Sequence, residues 1–297
     1  MVENKKQARV EQILLNGYFF ICCLFFVIPM LLVITSSFTN DNEIRLYGYS
    51  LLPREWSLES YRAIFRIPQR MFDAYIITAF TSIVGTIMSV TVMALVAYPL
   101  SRRDFAYRKA ITFFIFFTLL FSGGLIPSYI MNTQILKLDD TIWIYLLLHL
   151  ANAWHIIIIR TFFQQLPYEL IESAKMDGAK ELRIFFAIIV PLSKPVLATI
   201  ALFVLLGRWN EWMITLVYIR SERLYTLQFI LQRLLLQAEF ARSYMLNVPG
   251  IMIDSRALPT LSMRYAMTVI AAGPMLLVFP FFQKYFTRGL TIGAIKG

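Results

Sequence analysis

AYIITAFTSIVGTIMSVTVMALVAYPL, residues 74–100, runs without a single Asp, Glu, Lys or Arg. A helix needs roughly 20 apolar residues to cross the hydrocarbon core of a bilayer. This stretch is long enough, and it is not alone. Working outward along the chain, further apolar runs cover residues 17–38, 110–131, 141–159, 184–206 and 265–282, and none of the six contains Asp or Glu. Lys194, between Pro191 and Pro195, is the clearly basic residue within a run. Composition agrees: hydrophobic residues make up 58% of the chain and charged residues 15%, with a mean hydropathy of +0.64. A soluble domain carries roughly a quarter of its residues as charges. A large soluble core would also need polar faces at helical period, and these are missing. The expected fold class is an all-α integral membrane protein with six transmembrane helices.

Lys5, Lys6 and Arg9 precede the first run, as they would in a secretory signal. The run exceeds a signal's usual ~7–15 apolar residues and no small-residue cleavage site follows, so an uncleaved first helix is expected. Two long polar segments, 39–73 and 207–264, join helices one to two and five to six. The second holds a stretch, 224–240, with Leu227, Ile230, Leu231, Leu234 and Leu235 at helical spacing. Gln228, Gln232, Arg233 and Gln237 interrupt it, which suits a surface or re-entrant element. Six spans put both termini on one side. The joints near Arg102 and near Lys175 carry four basic residues each, and the short joint near Lys137 carries one. Positive charge concentrates in short cytoplasmic loops, so both termini are expected in the cytoplasm. The resulting organisation is a cytoplasmic segment 1–16, a membrane domain 17–284 and a cytoplasmic tail 285–297.

Several function classes drop out. The net charge of +10 comes from Lys and Arg scattered over the joints, without the compact basic block that nucleic-acid binding needs. Cys22 and Cys23 are adjacent, too close for an ordinary disulfide and without metal-ligand spacing. No phosphate-binding Gly-x-x-x-x-Gly-Lys-Ser/Thr loop occurs, so any ATP chemistry belongs to another chain. No catalytic or metal-ligating set stands out, which leaves an intramembrane enzyme unsupported. The remaining alternative is a stand-alone ion-coupled secondary transporter. That class commonly places carboxylate or His relays inside its helices, and these runs have no carboxylate.

Between the fourth and fifth runs lies a loop, 166–183, reading LPYELIESAKMDGAKELR. Pro167 suits the first position of a helix, where its missing N–H costs nothing. Glu169 and Glu172 suit the positive end of the helix dipole. Ala174 allows close approach of another surface, and Gly178 can take the left-handed backbone that ends a helix. The predicted shape is a short amphipathic helix, a sharp bend and a second helical stretch entering the membrane.

Glu172-Ser173-Ala174, then Gly178, then Ile188 and Pro191, resembles the EAA loop of ABC importer permeases: Glu-Ala-Ala, three residues, Gly, nine residues, Ile, any residue, Leu, Pro. Ser173 stands in place of the second alanine and Val190 in place of the leucine. The ending, 282–297, resembles that of the smaller permease of maltose-type carbohydrate importers. The stretch 193–203 with Trp209-Asn210 is similar to an LplC-like subgroup, whose members import oligosaccharides, including plant-polysaccharide and uronate-containing fragments. The resemblance implies a type I ABC importer permease in a bacterial cytoplasmic membrane. Its implied partners are a second permease, an ATPase dimer that uses ATP and Mg²⁺, an extracellular solute-binding protein and membrane lipid. It implies no cofactor bound by this chain. Glu172, Ser173, Ala174, Asp177 and Gly178 become the expected ATPase-coupling residues, with Lys175 beside them and the tail 293–297 a further contact.

For a sugar path the polar residues of the runs are the starting point. His149, Asn152 and His155 lie about a turn apart in the fourth run. They suit either a cavity wall or hydrogen bonds between helices. Trp209, Asn210 and Trp212 suit interfacial anchoring or stacking on a sugar ring. Gly123, Gly124 and Pro127 should break the third helix. Arg242 and Arg256 suit guidance of an anionic sugar, solvation, or pairing with the binding protein, for which 207–264 is the expected docking segment.

Overall fold

The computed structural model describes residues 2–66, 68–247 and 260–294. Arg256, residues 248–259 of the long segment and residues 295–297 of the tail lie outside them, as does the side chain of Arg242. The described chain is helical, with one isolated β-bridge between Thr39 and Trp56. In order come α1 (Val2–Ser37), α2 (Asp41–Tyr47), α3 (Glu59–Ile64), α4 (Pro68–Ser101), α5 (Arg108–Leu120) and α6 (Leu125–Ile130), which runs into a π turn at Met131–Ile135. Then follow α7 (Ile142–Leu147), α8 (Ala153–Phe163), α9 (Glu169–Met176) and α10 (Glu181–Ile184). A second π turn, Phe185–Ile189, leads to α11 (Val190–Leu192), α12 (Lys194–Trp209), α13 (Met213–Tyr218), α14 (Leu227–Asn247) and α15 (Leu261–Ala294).

All six apolar runs fall on helices, but three are not straight. Residues 11–37, 68–101 and 261–283 are continuous and apolar enough to cross a membrane. The third run bends by 113° between Leu120 and Leu125. Gly124, at φ 83°, turns the chain there, and the expected Gly123-Gly124 break is present. The fifth run bends by 81° at Ser193, so Lys194 is exposed at a break and not embedded in a continuous helix. The fourth is divided into α7 and α8 by residues 148–152. Between Glu11 and Met30 every side chain of α1 except Cys22 is exposed. At roughly 25 cal/mol per Å² of apolar surface, such a helix is tolerable only in lipid or against another chain.

The contacts divide the described residues into two compact units, those within 1–68 and 231–273 and those within 69–230 and 274–297. In the first, the end of α1, α2, α3 and the start of α15 are pinned by polar groups. Buried Glu43 accepts the backbone N–H groups of Arg54 at 2.7 Å and Glu55 at 2.8 Å. Asp41 accepts the Leu261 N–H at 2.7 Å, serving as a cap supplied from a distance for the first turn of α15. Ser60 bonds Ser262 at 2.7 Å.

In the second unit α4 is the central element. Ala74, Thr78, Ser82, Gly85, Ser89, Met93 and Ala97 recur every three or four residues and are all buried, a stripe of mostly small residues that lets neighbouring helices close in. Its lower half packs with α8, α9, α10 and α12 through Met93, Tyr98, Ile159, Ile171, Ile184 and Ile200. Arg160 of α8 donates to the Leu100 carbonyl at 3.0 Å, which caps the end of α4. A second cluster joins α7 to α13 through Ile144, Tyr145, Ile214 and Tyr218. The segment 207–264 thus contains the short helix α13, unanticipated from the sequence, and α14, which begins three residues later than expected.

Candidate functional site

The loop 166–183 forms the helix–bend–helix expected of it. Helix α9 starts at Glu169, with the Tyr168 carbonyl accepting from Ile171 N–H at 2.9 Å and Glu172 N–H at 3.1 Å. Pro167 precedes that turn and does not occupy its first position. Glu169 and Glu172 sit in the first turn. Ile171 and Ala174 face inward and join the core with α4 and α8. Glu172, Ser173, Met176 and Asp177 face outward, Met176 being 89% exposed. The helix ends in a Schellman cap: Gly178 N–H donates to the Lys175 carbonyl and Ala179 N–H to the Ala174 carbonyl, both at 2.9 Å. Gly178 has φ 78°, where a Cβ would be strained.

A network of charges fixes this bend against the end of α4. Arg102, 5% exposed, donates from Nε and Nη2 to the two carboxylate oxygens of Asp104 at 3.2 and 3.1 Å. Lys175 reaches Asp104 at 3.3 Å and Glu181 at 2.9 Å. The Tyr98 hydroxyl donates to Glu181 at 2.6 Å. Hydrogen bonds from Arg102, joined by Lys175, hold the Asp104 carboxyl down at about 2. The bond to Glu181 pushes Lys175 above its ordinary value. Sequence reasoning singled out Lys175 and missed the two carboxylates, which come from separate joints and show no shared pattern.

The second feature is a cavity of about 240 Å³ in the same unit, walled by α4, the α7–α8 break and the end of α12. His149, Asn152 and His155 all line it. They do so from the break: Asn152 caps α8 by accepting the His155 N–H at 3.1 Å, and its own N–H meets Met93 Sδ at 3.4 Å. Arg208 and Glu211 supply the facing charges. Trp209 is buried outside the lining, and Asn210 is exposed with its amide on the Leu206 carbonyl at 2.9 Å.

Arg208 organises the wall. It is 8% exposed. Its Nη1 donates to the Tyr145 carbonyl at 2.6 Å, and its Nη2 to Ser89 Oγ at 2.8 Å, the His149 carbonyl at 2.9 Å and the Leu146 carbonyl at 3.3 Å. A guanidinium thus sits on the negative end of α7, where the last carbonyls of a helix lack N–H groups of the next turn. Gly85 makes the space: a Cβ there would lie 2.4 Å from Arg208 Nη1. The signal available in the sequence was a lone cation just past an apolar run, which the run's boundary at 206 left in the outer segment.

Residues 95–292 match the family model described as binding-protein-dependent transport system inner membrane component. The chain is 35% identical over 289 residues to the polygalacturonan/rhamnogalacturonan transport system permease protein YtcP of Bacillus subtilis (strain 168), covering 97% of this chain and 99% of that one. It is 36% identical over 269 residues to protein LplC of the same organism, covering 91% and 89%. A crystal structure of a bacterial ABC transporter involved in import of the acidic polysaccharide alginate contains a chain that superposes with a TM-score of 0.76 at 28% identity, covering 93% of this chain and 95% of that one.

Proposed function

This chain belongs to the family of binding-protein-dependent transport system inner membrane components, and from that premise we propose that it forms half of the translocation path of an ATP-driven oligosaccharide importer. The observation that carries the reading is α9. Its inner face is locked into the core by Ile171 and Ala174, and its outer face presents Glu172, Ser173 and Asp177 beside the Gly178 bend. A rigid helix protruding from one end of a membrane bundle suits insertion into a groove on a partner. The partner is an ATPase dimer that hydrolyses ATP with Mg²⁺. This chain does no bond chemistry itself.

A second permease completes the path, and an external solute-binding protein delivers the sugar. Both termini and α9 lie in the cytoplasm, as the basic joints direct. Polygalacturonan and rhamnogalacturonan fragments are the favoured substrate class, on the strength of the named relative. Within the path, His149, Asn152, His155 and Glu211 offer donors and acceptors at the scale of a sugar hydroxyl. Both Nη groups of Arg208 are already taken by carbonyls and Ser89. Its Nε is buried without a hydrogen-bond partner in the wall, so His149, Asn152, His155 and Glu211 meet hydroxyl groups while Arg208 keeps one donor and its charge toward the cavity.

The test is to tag the chain, extract it in mild detergent and identify what co-purifies by mass spectrometry. A second permease and an ATPase are expected, and the complex in liposomes should take up oligosaccharide only with ATP and binding protein. A chain that comes out alone and moves solute without ATP would overturn the proposal.

A further inference from the structure

We infer that Asp104 and Glu181 are positioning residues for energy coupling: together they clamp Lys175 and fasten α9 to the end of α4. The inference rests on the coupling role proposed for α9. The joint after α4 supplies Arg102 and Asp104, the last turn of α9 supplies Lys175, and the first residue of α10 is Glu181. Lys175 spans the two carboxylates at 3.3 and 2.9 Å. Each carboxylate has its own hold on α4: Asp104 through the buried Arg102, and Glu181 through the Tyr98 hydroxyl at 2.6 Å. The clamp therefore has two arms, each tied to a buried residue, and Arg102 joins them by also coming within 4.0 Å of Glu181. An isolated exposed ion pair is worth little; a network anchored on a buried guanidinium and a buried tyrosine holds its geometry better.

The consequence lies further back along α4. Thr81 and Met93 of that helix line the cavity, and Gly85 and Ser89 seat Arg208. A push on α9 is delivered to a single helix that also forms a wall of the cavity. Without the clamp, α9 keeps its apolar packing through Ile171 and Ala174 but loses its charged tie to α4, and part of its movement is lost as local sliding.

The experiment uses the complete importer (this chain, its partner permease, the ATPase and the binding protein) in proteoliposomes. Sugar uptake and ATP hydrolysis are measured together for Asp104→Asn, Glu181→Gln and the double variant. Since either carboxylate can hold Lys175, each single change should lower uptake per ATP only about two-fold, in keeping with a half-exposed ion pair. The double change should lower it by about ten-fold or more, well beyond the product of the singles, while binding-protein-stimulated hydrolysis is retained. Asp104→Glu should keep the ratio near that of the unmodified chain. If the double variant does not assemble, Asp104→Asn with Glu181→Asp weakens the second arm without removing it, and a smaller fall is expected. An unchanged ratio in the double variant, or uptake and hydrolysis falling in proportion, would overturn the clamp. An unmodified complex without ATP-driven uptake would overturn the coupling role of α9 as well, which separates the two failures.

Discussion

Arg208 and Gly85 form one feature made of two residues: a buried cation on the carbonyls of α7, and the absence of a side chain that makes room for it. Charged groups at membrane depth are tolerated only when they find partners, and here the partners are three carbonyls and a hydroxyl. Gly85→Ala would place a Cβ 2.4 Å from the guanidinium, and overpacking of this kind costs about 1–3 kcal/mol. Its thermal unfolding midpoint in detergent should fall. Gly207→Ala, in the same helix as Arg208 but with nothing within 4 Å of its Cβ, should leave that midpoint unchanged or raised. Arg208→Ala should destabilise more strongly, since each carbonyl left bare in a buried site costs about 1–3 kcal/mol. At this scale the sequence was unevenly legible. Ala174 and Gly178 could be read because their roles, smallness and a left-handed backbone, belong to the residue type itself. Arg208 could not, because three of its four acceptors are main-chain atoms of a segment some sixty positions away, which no pattern of side chains announces.

Among the elements, α9 with its cap depends most on a single position. Gly178 provides both a φ of 78° and an N–H on the Lys175 carbonyl. Proline can supply neither, because its φ is fixed near −65° and it has no N–H. Gly178→Pro should leave the chain inserted in the membrane while the liposome system hydrolyses ATP with little or no uptake. Glu172→Lys, which changes the exposed face of α9 without touching its fold, should give the same signature if that face meets the ATPase. Normal uptake in both variants would remove α9 from the coupling role. The elements also show what periodicity and composition miss. The bend at 121–124 was readable from Gly123 and Gly124, whereas the break at 148–152 contains neither Gly nor Pro and looks like uninterrupted helix. It persists because Asn152 caps α8 on one side and Arg208 caps α7 on the other, so tertiary contacts and not local propensity divide the run.

For the molecule as a whole, the apolar runs carried the fold class, since a bilayer demands long uncharged helices and little else imitates them. The orientation proposed for those helices rests on the basic joints and can be measured directly. In a background with Cys22 and Cys23 replaced, a cysteine at Met176 should react with a membrane-impermeant thiol reagent only from the cytoplasmic side. One at Lys137 should react only from outside, and the reverse pattern would invert the topology. The order of elements along the chain has a consequence for biosynthesis. Ribosomes deliver a polypeptide from its N-terminus onward, so Gly85, Ser89 and the carbonyls of α7 are made before Arg208. Every partner the guanidinium needs is therefore already in the nascent chain when its own helix emerges, and none has to be awaited.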